Sequence, residues 1–263
     1  ACQNRLHQIT FMGIIDKDVS EVKTLKLISY GVELKKKAGV AAANIVEDGM
    51  TLGIGTGSTV KHFVEELGRR VKEESLNIKG VTTSFQSKLL CYHHGIPIID
   101  AAMVSQIDLG VDGADEIDYS LNAIKGGGAA HTIEKIVATM AKQFILIGDE
   151  SKLVDNLGTK FPVPIEVIPE AIALVESKTK DIGADPRIRM ATKKDGPVIS
   201  DNGNFIVDLF FKALQDTSAI NNFLLTIPGV VETGLFIDMA DQAFIADSDG
   251  VQIIKKDWTR TKD

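Results

Sequence analysis

Ile107 to Glu134, reading IDLGVDGADEIDYSLNAIKGGGAAHTIE, holds the pattern on which the fold turns. An apolar run from Ile107 to Val111, interrupted only by Asp108 and Gly110, reads as a strand that ends where Asp112, Gly113, Ala114, Asp115 and Glu116 begin. Lys125 then precedes Gly126, Gly127 and Gly128, which remove every Cβ from a turn and let backbone N–H groups face an oxyanion or phosphate at the start of the next helix. Ala130, Ile133, Val137, Met140 and Phe144, with Ile136 beside them, give that helix the three-four spacing of one buried face. Glu134 stands one residue off the stripe. At such an edge, partial burial raises a carboxyl pKa towards neutrality yet leaves the group open to a ligand, which makes Glu134 the best general-base candidate. Asp-Gly and Gly-Gly pairs are also ordinary turn chemistry, and Asp118 with Glu116 fits a solvated loop. A plain turn, however, requires neither the lysine before the glycines nor the glutamate behind them.

The same strand-turn-helix grammar extends in both directions. Upstream, Leu34, Ala38, Ala41, Ala42 and Ile45 predict a helix, and Met50 to Ile54 a strand running into Gly55, Thr56, Gly57, Ser58 and Thr59. Val60, Phe63, Val64, Leu67 and Val71 form the apolar face of the helix that follows, with Ser58 or Thr59 suited to its N-cap. GIGTGST is not a dinucleotide fingerprint, because Ser58 takes the place of the third glycine, and it lacks the Gly-Lys-Ser/Thr end of a P-loop. What remains suits a single phosphate, or no more than a capped turn. A strand near Ile78 to Thr82, a helix from Phe85 to His94 and a strand at Ile96 to Ile99 follow. Beyond the Glu134 helix, a strand from Gln143 to Ile147 ends in Gly148, Asp149, Glu150, Ser151 and Lys152. Alternating strands and helices imply an α/β fold, a Rossmann-like parallel sheet covered on both faces, which binds ligands at the carboxyl ends of its strands. The three polar turns then share one rim.

The composition changes at Phe161: five of the seven prolines lie between Pro162 and Pro197, and residues 1 to 96 have none. Strands at Val163 to Val167, around Ile188 to Met190, at Phe205 to Phe211 and at Val230 to Phe236, with helices from Glu170 to Ile182 and Ser218 to Leu225, give the strand-helix-strand-strand-helix-strand order of a ferredoxin-like α+β unit. Gln242 to Lys256 alternates as strands and returns to the first sheet. The expected division is a larger catalytic domain of residues 33–160 with 237–263, a smaller domain of 161–236, and an extension of unclear structure at 1–32.

With 263 residues, 44% hydrophobic and 25% charged, the chain can bury one large core or two smaller ones. No stretch approaches the roughly 18 to 20 apolar residues of a membrane helix. Cys2 and Cys91 form neither a disulfide framework nor a metal-ligand cluster, so a reducing cytoplasm is expected. His93 and His94 fit a cation at a helix C-terminus better than a metal site. The net charge of -7 argues against nucleic acid as a partner, so an anionic substrate has to be held by cations placed locally.

DGADEID, KGGGAAHTIEK, GIGTGST, GDESKLVDNLG, PVPIEVIP and IPGVVETGLF, over about Glu33 to Lys256, resemble the motifs of type A ribose-5-phosphate isomerases. The resemblance implies interconversion of ribose 5-phosphate and ribulose 5-phosphate through a cis-enediolate, without metal or organic cofactor, in a homodimer or tetramer. It puts the proton acceptor at Glu134 and the substrate turns at Thr56 to Thr59, Asp112 to Asp115 and Lys125 to Gly128. It further implies that Asp112 assists ring opening, Asp115 holds sugar hydroxyls, Lys125 stabilises developing negative charge, Lys152 binds substrate and Lys36 contacts the phosphate. Where the family usually has Leu-Thr-Arg-Glu, this chain has His131, Thr132, Ile133 and Glu134, and loss of that neighbouring cation is expected to raise the pKa of Glu134. His131, three residues before Glu134 on the same side, is expected in a structural or lining role. Two other classes share related architecture. A sugar-phosphate-sensing regulator needs a DNA-binding helix-turn-helix, for which residues 1 to 32 are too short and too poorly basic, and a CoA transferase uses a glutamate as nucleophile.

Overall fold

The computed structural model describes residues 28–256. Residues 28–44 are helical (α1) and lead into β1 (Thr51–Ile54), α2 (Ser58–Glu74), β2 (Lys79–Thr82), α3 (Phe85–His93) and β3 (Leu109–Gly113). Two short strands, β4 (Glu116–Ile117) and β5 (Ala123–Ile124), precede α4 (His131–Met140) and β6 (Phe144–Asp149). Next come β7 (Val163–Val167), α5 (Ile172–Asp181), β8 (Ala184–Ile188), β9 (Phe205–Phe211), α6 (Thr217–Leu225), β10 (Val230–Thr233), β11 (Leu235–Phe236), β12 (Gln242–Ala246) and β13 (Val251–Lys255).

The large sheet has the order β13-β12-β6-β3-β1-β2 and is parallel except for β13, which returns antiparallel along β12 at the edge. Its inner strands are apolar at successive positions, so each face needs a cover. Ile145 and Ile147 of β6 pack with Leu34 and Ala38 of α1 and with Val60, Phe63, Val64 and Leu67 of α2. Phe144 and Leu146 point the other way, into a core with Ala138 of α4, Phe236 and Ala243. On the α4 side, Gly53 and Gly110 lie opposite one another in the β1–β3 register. A Cβ on Gly53 would lie 2.6 Å from Val137 Cγ1, and one on Gly110 would lie 3.1 Å from Ala141 Cβ. The C-terminal half of the helix therefore rests on bare backbone.

Residues from β7 to β10 form a four-stranded antiparallel sheet, order β10-β7-β9-β8, with α5 and α6 in the expected positions of the strand-helix-strand-strand-helix-strand sequence. Val163, Ile165, Val167, Val175, Val207, Leu209 and Leu224 make its core. The fold is thus α/β with an added α+β layer.

Several local boundaries differ from the sequence reading. The strand expected at Ile188 to Met190 lies at Ala184–Ile188, where Pro186 is tolerated because β8 is an edge strand. Ile96 to Ile99 contributes only a bridge between Ile98 and Gly80, since Pro97 has no N–H to extend a ladder. The run from Val230 to Phe236 is cut at Gly234: β10 stays in the small sheet, while β11 joins β5 and β4 in a separate three-stranded sheet. Phe144 belongs to β6, because α4 ends at Met140 and the Lys142 N–H bonds to Ile107 O instead of continuing the helix. Residues 28–32, expected in the extension, are helical, and the remainder of that extension lies outside the described residues.

Candidate active site

At the carboxyl ends of β1, β3 and β6, a cleft of about 160 Å³ opens between the start of α2 and the start of α4. Thr56, Gly57, Ser58 and Thr59 form one wall, Gly113, Ala114 and Asp115 the floor, and Lys125, Gly126, Gly127 and Gly128 the opposite wall with Glu134. Lys152 closes one side. Lys35 reaches the cleft, whereas Lys36 is exposed on α1 and does not line it. The expectation at Lys36 thus falls one residue away, since Lys35 lies at helical spacing with buried Ala38, Gly39 and Ala42.

Neither Ser58 nor Thr59 caps α2. Gly57 is the N-cap, at φ 114°, and no side chain bonds the first turn, so its N–H groups remain for a bound anion. The Thr56 hydroxyl is already engaged with Thr83 Oγ1 at 2.8 Å and Ser84 Oγ at 2.7 Å. Thr56 therefore contributes shape to this wall more than a spare donor.

Three charged side chains are buried together behind the glycine wall. Lys125 Nζ lies 2.9 Å from Asp112 Oδ2 and 3.0 Å from Glu134 Oε2, and it donates a 2.6 Å hydrogen bond to Gly113 O. Glu134 Oε2 and Asp112 Oδ2 have no partner beyond this ammonium. Burial first, and then the charge of Asp112, raise the Glu134 pKa from 4.5 to about 7 despite Lys125. Asp112 is raised too, again by burial, against the pull of Lys125 and the Thr56 and Gly113 amides. Burial opposes the Lys125 charge, but the two carboxylates outweigh it and hold its pKa above the ordinary lysine value. A base that is half ionised near neutral pH, beside a fixed cation, is equipped to take and return a proton.

Glu134 was expected at the edge of an apolar stripe. It lies instead on the buried face of α4, with His131, Val137 and Ala138, and is 4% exposed. The cause of its raised pKa is this burial and Asp112, so the missing cation at Ile133 is not needed to explain it; Ile133 packs with Val81, Ile107 and Val137. His131 is structural: its Nε2 lies 3.3 Å from Glu232 O, and burial pushes its pKa down to about 4, which keeps it neutral.

Asp112 is set behind the cleft wall. Its Oδ1 accepts from Thr56 N at 3.1 Å and Gly113 N at 2.7 Å, and a Cβ on Gly55 would lie 2.0 Å from that oxygen. Asp115 lines the cleft, and one of its oxygens accepts from Gly127 N at 2.8 Å. Glu116, far from a solvated loop residue, is fully buried and accepts from Gly158 N, Lys160 N and Phe161 N, which ties the chain after β6 to the site. Lys135 bonds Glu232 and Thr233, fastening α4 to β10. Among the described residues, no group of three or more His, Cys, Asp or Glu could hold a metal ion, and no helix is long and apolar enough to cross a membrane.

Comparison with known proteins gives a consistent result. The family model described as ribose 5-phosphate isomerase A (phosphoriboisomerase A) matches residues 79–250. A ribose-5-phosphate isomerase A of Methanothermobacter thermautotrophicus is 50% identical over 224 residues, 85% of this chain and 98% of that protein. Its Pyrococcus abyssi counterpart is 47% identical over 225 residues, again covering 85% and 98%. Among solved structures, the ribose 5-phosphate isomerase A of Methanocaldococcus jannaschii is 43% identical, with a TM-score of 0.82 over 85% of this chain and 99% of its own. A D-ribose-5-phosphate isomerase in complex with phospho-erythronic acid is 47% identical, with a TM-score of 0.83 over 85% of this chain and 98% of its own.

Proposed function

The chain belongs to the ribose 5-phosphate isomerase A family, and from that premise we propose that its cleft interconverts ribose 5-phosphate and ribulose 5-phosphate with Glu134 as the proton-transferring base. The observation that carries this reading is a buried carboxylate of raised pKa, held beside Lys125 in a cleft that also offers a helix N-terminus and two lysines to a phosphate.

The phosphate is placed at Gly57, Ser58 and Thr59, with Lys35 and Lys152 supplying charge that the acidic protein as a whole does not. The sugar then extends towards Glu134, and the free oxygen of Asp115 meets its hydroxyls. Ionised Glu134 removes the proton from C2, and the electrons of that C–H bond form the enediolate while the carbonyl oxygen takes up negative charge. Once protonated, Glu134 no longer attracts Lys125. The ammonium, still held by Asp112 and the Gly113 carbonyl, then directs its charge to the enediolate oxygen in place of Glu134, which stabilises the intermediate when its charge is greatest. Transfer of the 2-hydroxyl proton to the oxygen on C1, together with return of the proton from Glu134 to C1, forms the C2 carbonyl and completes the ketose. Asp112 holds Lys125 and the Thr56 and Gly113 amides in place through these steps. The reading is supported by a related structure whose ligand, phospho-erythronic acid, joins a phosphate to a carboxylate-bearing sugar acid, an arrangement that resembles the enediolate in charge.

A homo-oligomeric, cytoplasmic enzyme of the non-oxidative pentose phosphate pathway is the fuller form of this proposal. The direct test is incubation with ribose 5-phosphate alone. Ribulose 5-phosphate should accumulate to equilibrium, and an absence of ketose at high enzyme concentration would overturn the reading.

A further inference from the structure

Arg189 follows β8 and belongs to the small antiparallel sheet, yet it reaches the glycine wall of the cleft. Its Nη1 donates to Gly126 O at 2.7 Å and to Gly127 O at 3.1 Å. Asp208 of β9 holds the other edge of the guanidinium through Nε at 2.8 Å and through Nη2. The pair is largely buried, at 16% and 15% side-chain exposure, so the fork has one orientation and little freedom to leave it.

A trans peptide is planar, with its C=O and the following N–H pointing in opposite directions. Fixing the Gly126 carbonyl on Arg189 therefore sends the Gly127 N–H away from it, and that N–H is found on Asp115 Oδ2. By the same constraint, fixing the Gly127 carbonyl turns the Gly128 N–H away from Arg189, and Gly128 lines the cleft. This N–H has no hydrogen-bond partner among the described residues. The turn needs outside support because Gly126 stands at φ 113° and Ala129 at φ 59°, so three glycines would otherwise sample many conformations.

Resting on the isomerase reading, we propose that Arg189, braced by Asp208, is a positioning residue that aims the Gly128 N–H at the oxygen that becomes negative in the enediolate. The small sheet thus completes a catalytic wall built by the large one. It also follows that the effect of Arg189 is confined to the sugar end of the substrate and leaves phosphate binding alone.

Arg189→Ala tests this, together with Arg189→Ala/Asp208→Ala, which avoids leaving Asp208 buried without its partner. Removing one oxyanion donor typically costs about 10²- to 10³-fold, and misaiming it should cost part of that, about 10- to 100-fold in kcat. The double variant should show the same loss, Arg189→Lys should recover little because it cannot fork, and free guanidinium should restore part of the Arg189→Ala rate. Competitive inhibition by inorganic phosphate should be unchanged in each variant. Rates within about threefold of wild type per folded molecule, or a matching loss of phosphate affinity, would overturn the clamp. The wild-type rate on ribose 5-phosphate in the same assay reports on the isomerase reading itself, so the two failures are distinguishable.

Discussion

Replacing Glu134 by Gln should make the protein more stable in a pH-dependent way. Gln keeps the shape of the side chain and mimics its protonated, neutral form beside Lys125. In the folded protein Glu134 ionises at about 7, against 4.5 for the ordinary group. Between those values the folded state keeps a proton that the unfolded state has lost, so wild-type stability falls as pH rises through this window. At about 1.4 kcal/mol per pH unit, the full penalty is about 3 kcal/mol above pH 8, shrinking to about 1 kcal/mol or less at pH 5. The assay is urea unfolding of both proteins from pH 5 to pH 8.5. The advantage of Glu134→Gln should grow across that range and then level off. A constant difference, or a variant less stable than wild type at pH 8, would refute the idea that ionised Glu134 is held against its own desolvation.

The pH profile of kcat/KM should have an acid limb with an apparent pKa of about 7, belonging to the coupled Glu134 and Asp112 pair, with activity lost as pH falls because the base must be ionised; a limb near 4.5 would contradict it. Lys152→Ala should raise KM for ribose 5-phosphate about tenfold or more at low salt and leave kcat within about threefold, as expected of a cation that lines the phosphate end of the cleft. Unchanged affinity would remove Lys152 from the site. Gly53→Ala puts a methyl group 2.6 Å from Val137 Cγ1, and the overpacking should cost about 1–3 kcal/mol in unfolding free energy. Because α4 carries Glu134, kcat should fall at least about tenfold as well; a stable variant of normal kcat would show that the seating of α4 does not set the base.

The sequence reading reached the chemistry more closely than the geometry behind it. Asp115, Lys125, the three glycines, Glu134 and Lys152 were legible because strand ends and glycine turns are local patterns, and the fold brings them to one rim. The sequence sets Glu134 at a stripe edge because the apolar Ile133 and Met140 define that stripe, whereas in the fold both are half-buried and the polar His131 and Glu134 share the buried face with Val137 and Ala138. Three consecutive lysines carry no phase of their own, so Lys35 could be distinguished from Lys36 only by registering both against Ala38 and Ala42. By sequence Glu116 also fits a solvated loop, because its three backbone donors lie 42 to 45 residues further along the chain. Arg189 gave no local signal at all: its carbonyl partners are 63 and 62 residues away and lie in a different sheet layer. Long-range polar contacts of this kind depend on topology, and no spacing rule encodes them.

The claim that Glu134 moves the proton is tested most directly by hydrogen exchange at C2. Incubating ribose 5-phosphate in heavy water with wild-type enzyme and with Glu134→Gln measures enediolate formation apart from the complete reaction. General-base catalysis contributes roughly 10²- to 10⁴-fold, so exchange and kcat should fall together by about that factor or more in the variant, while affinity changes little. Near-normal exchange in Glu134→Gln would contradict the account, and loss of exchange in Asp112→Asn would then move the base to Asp112.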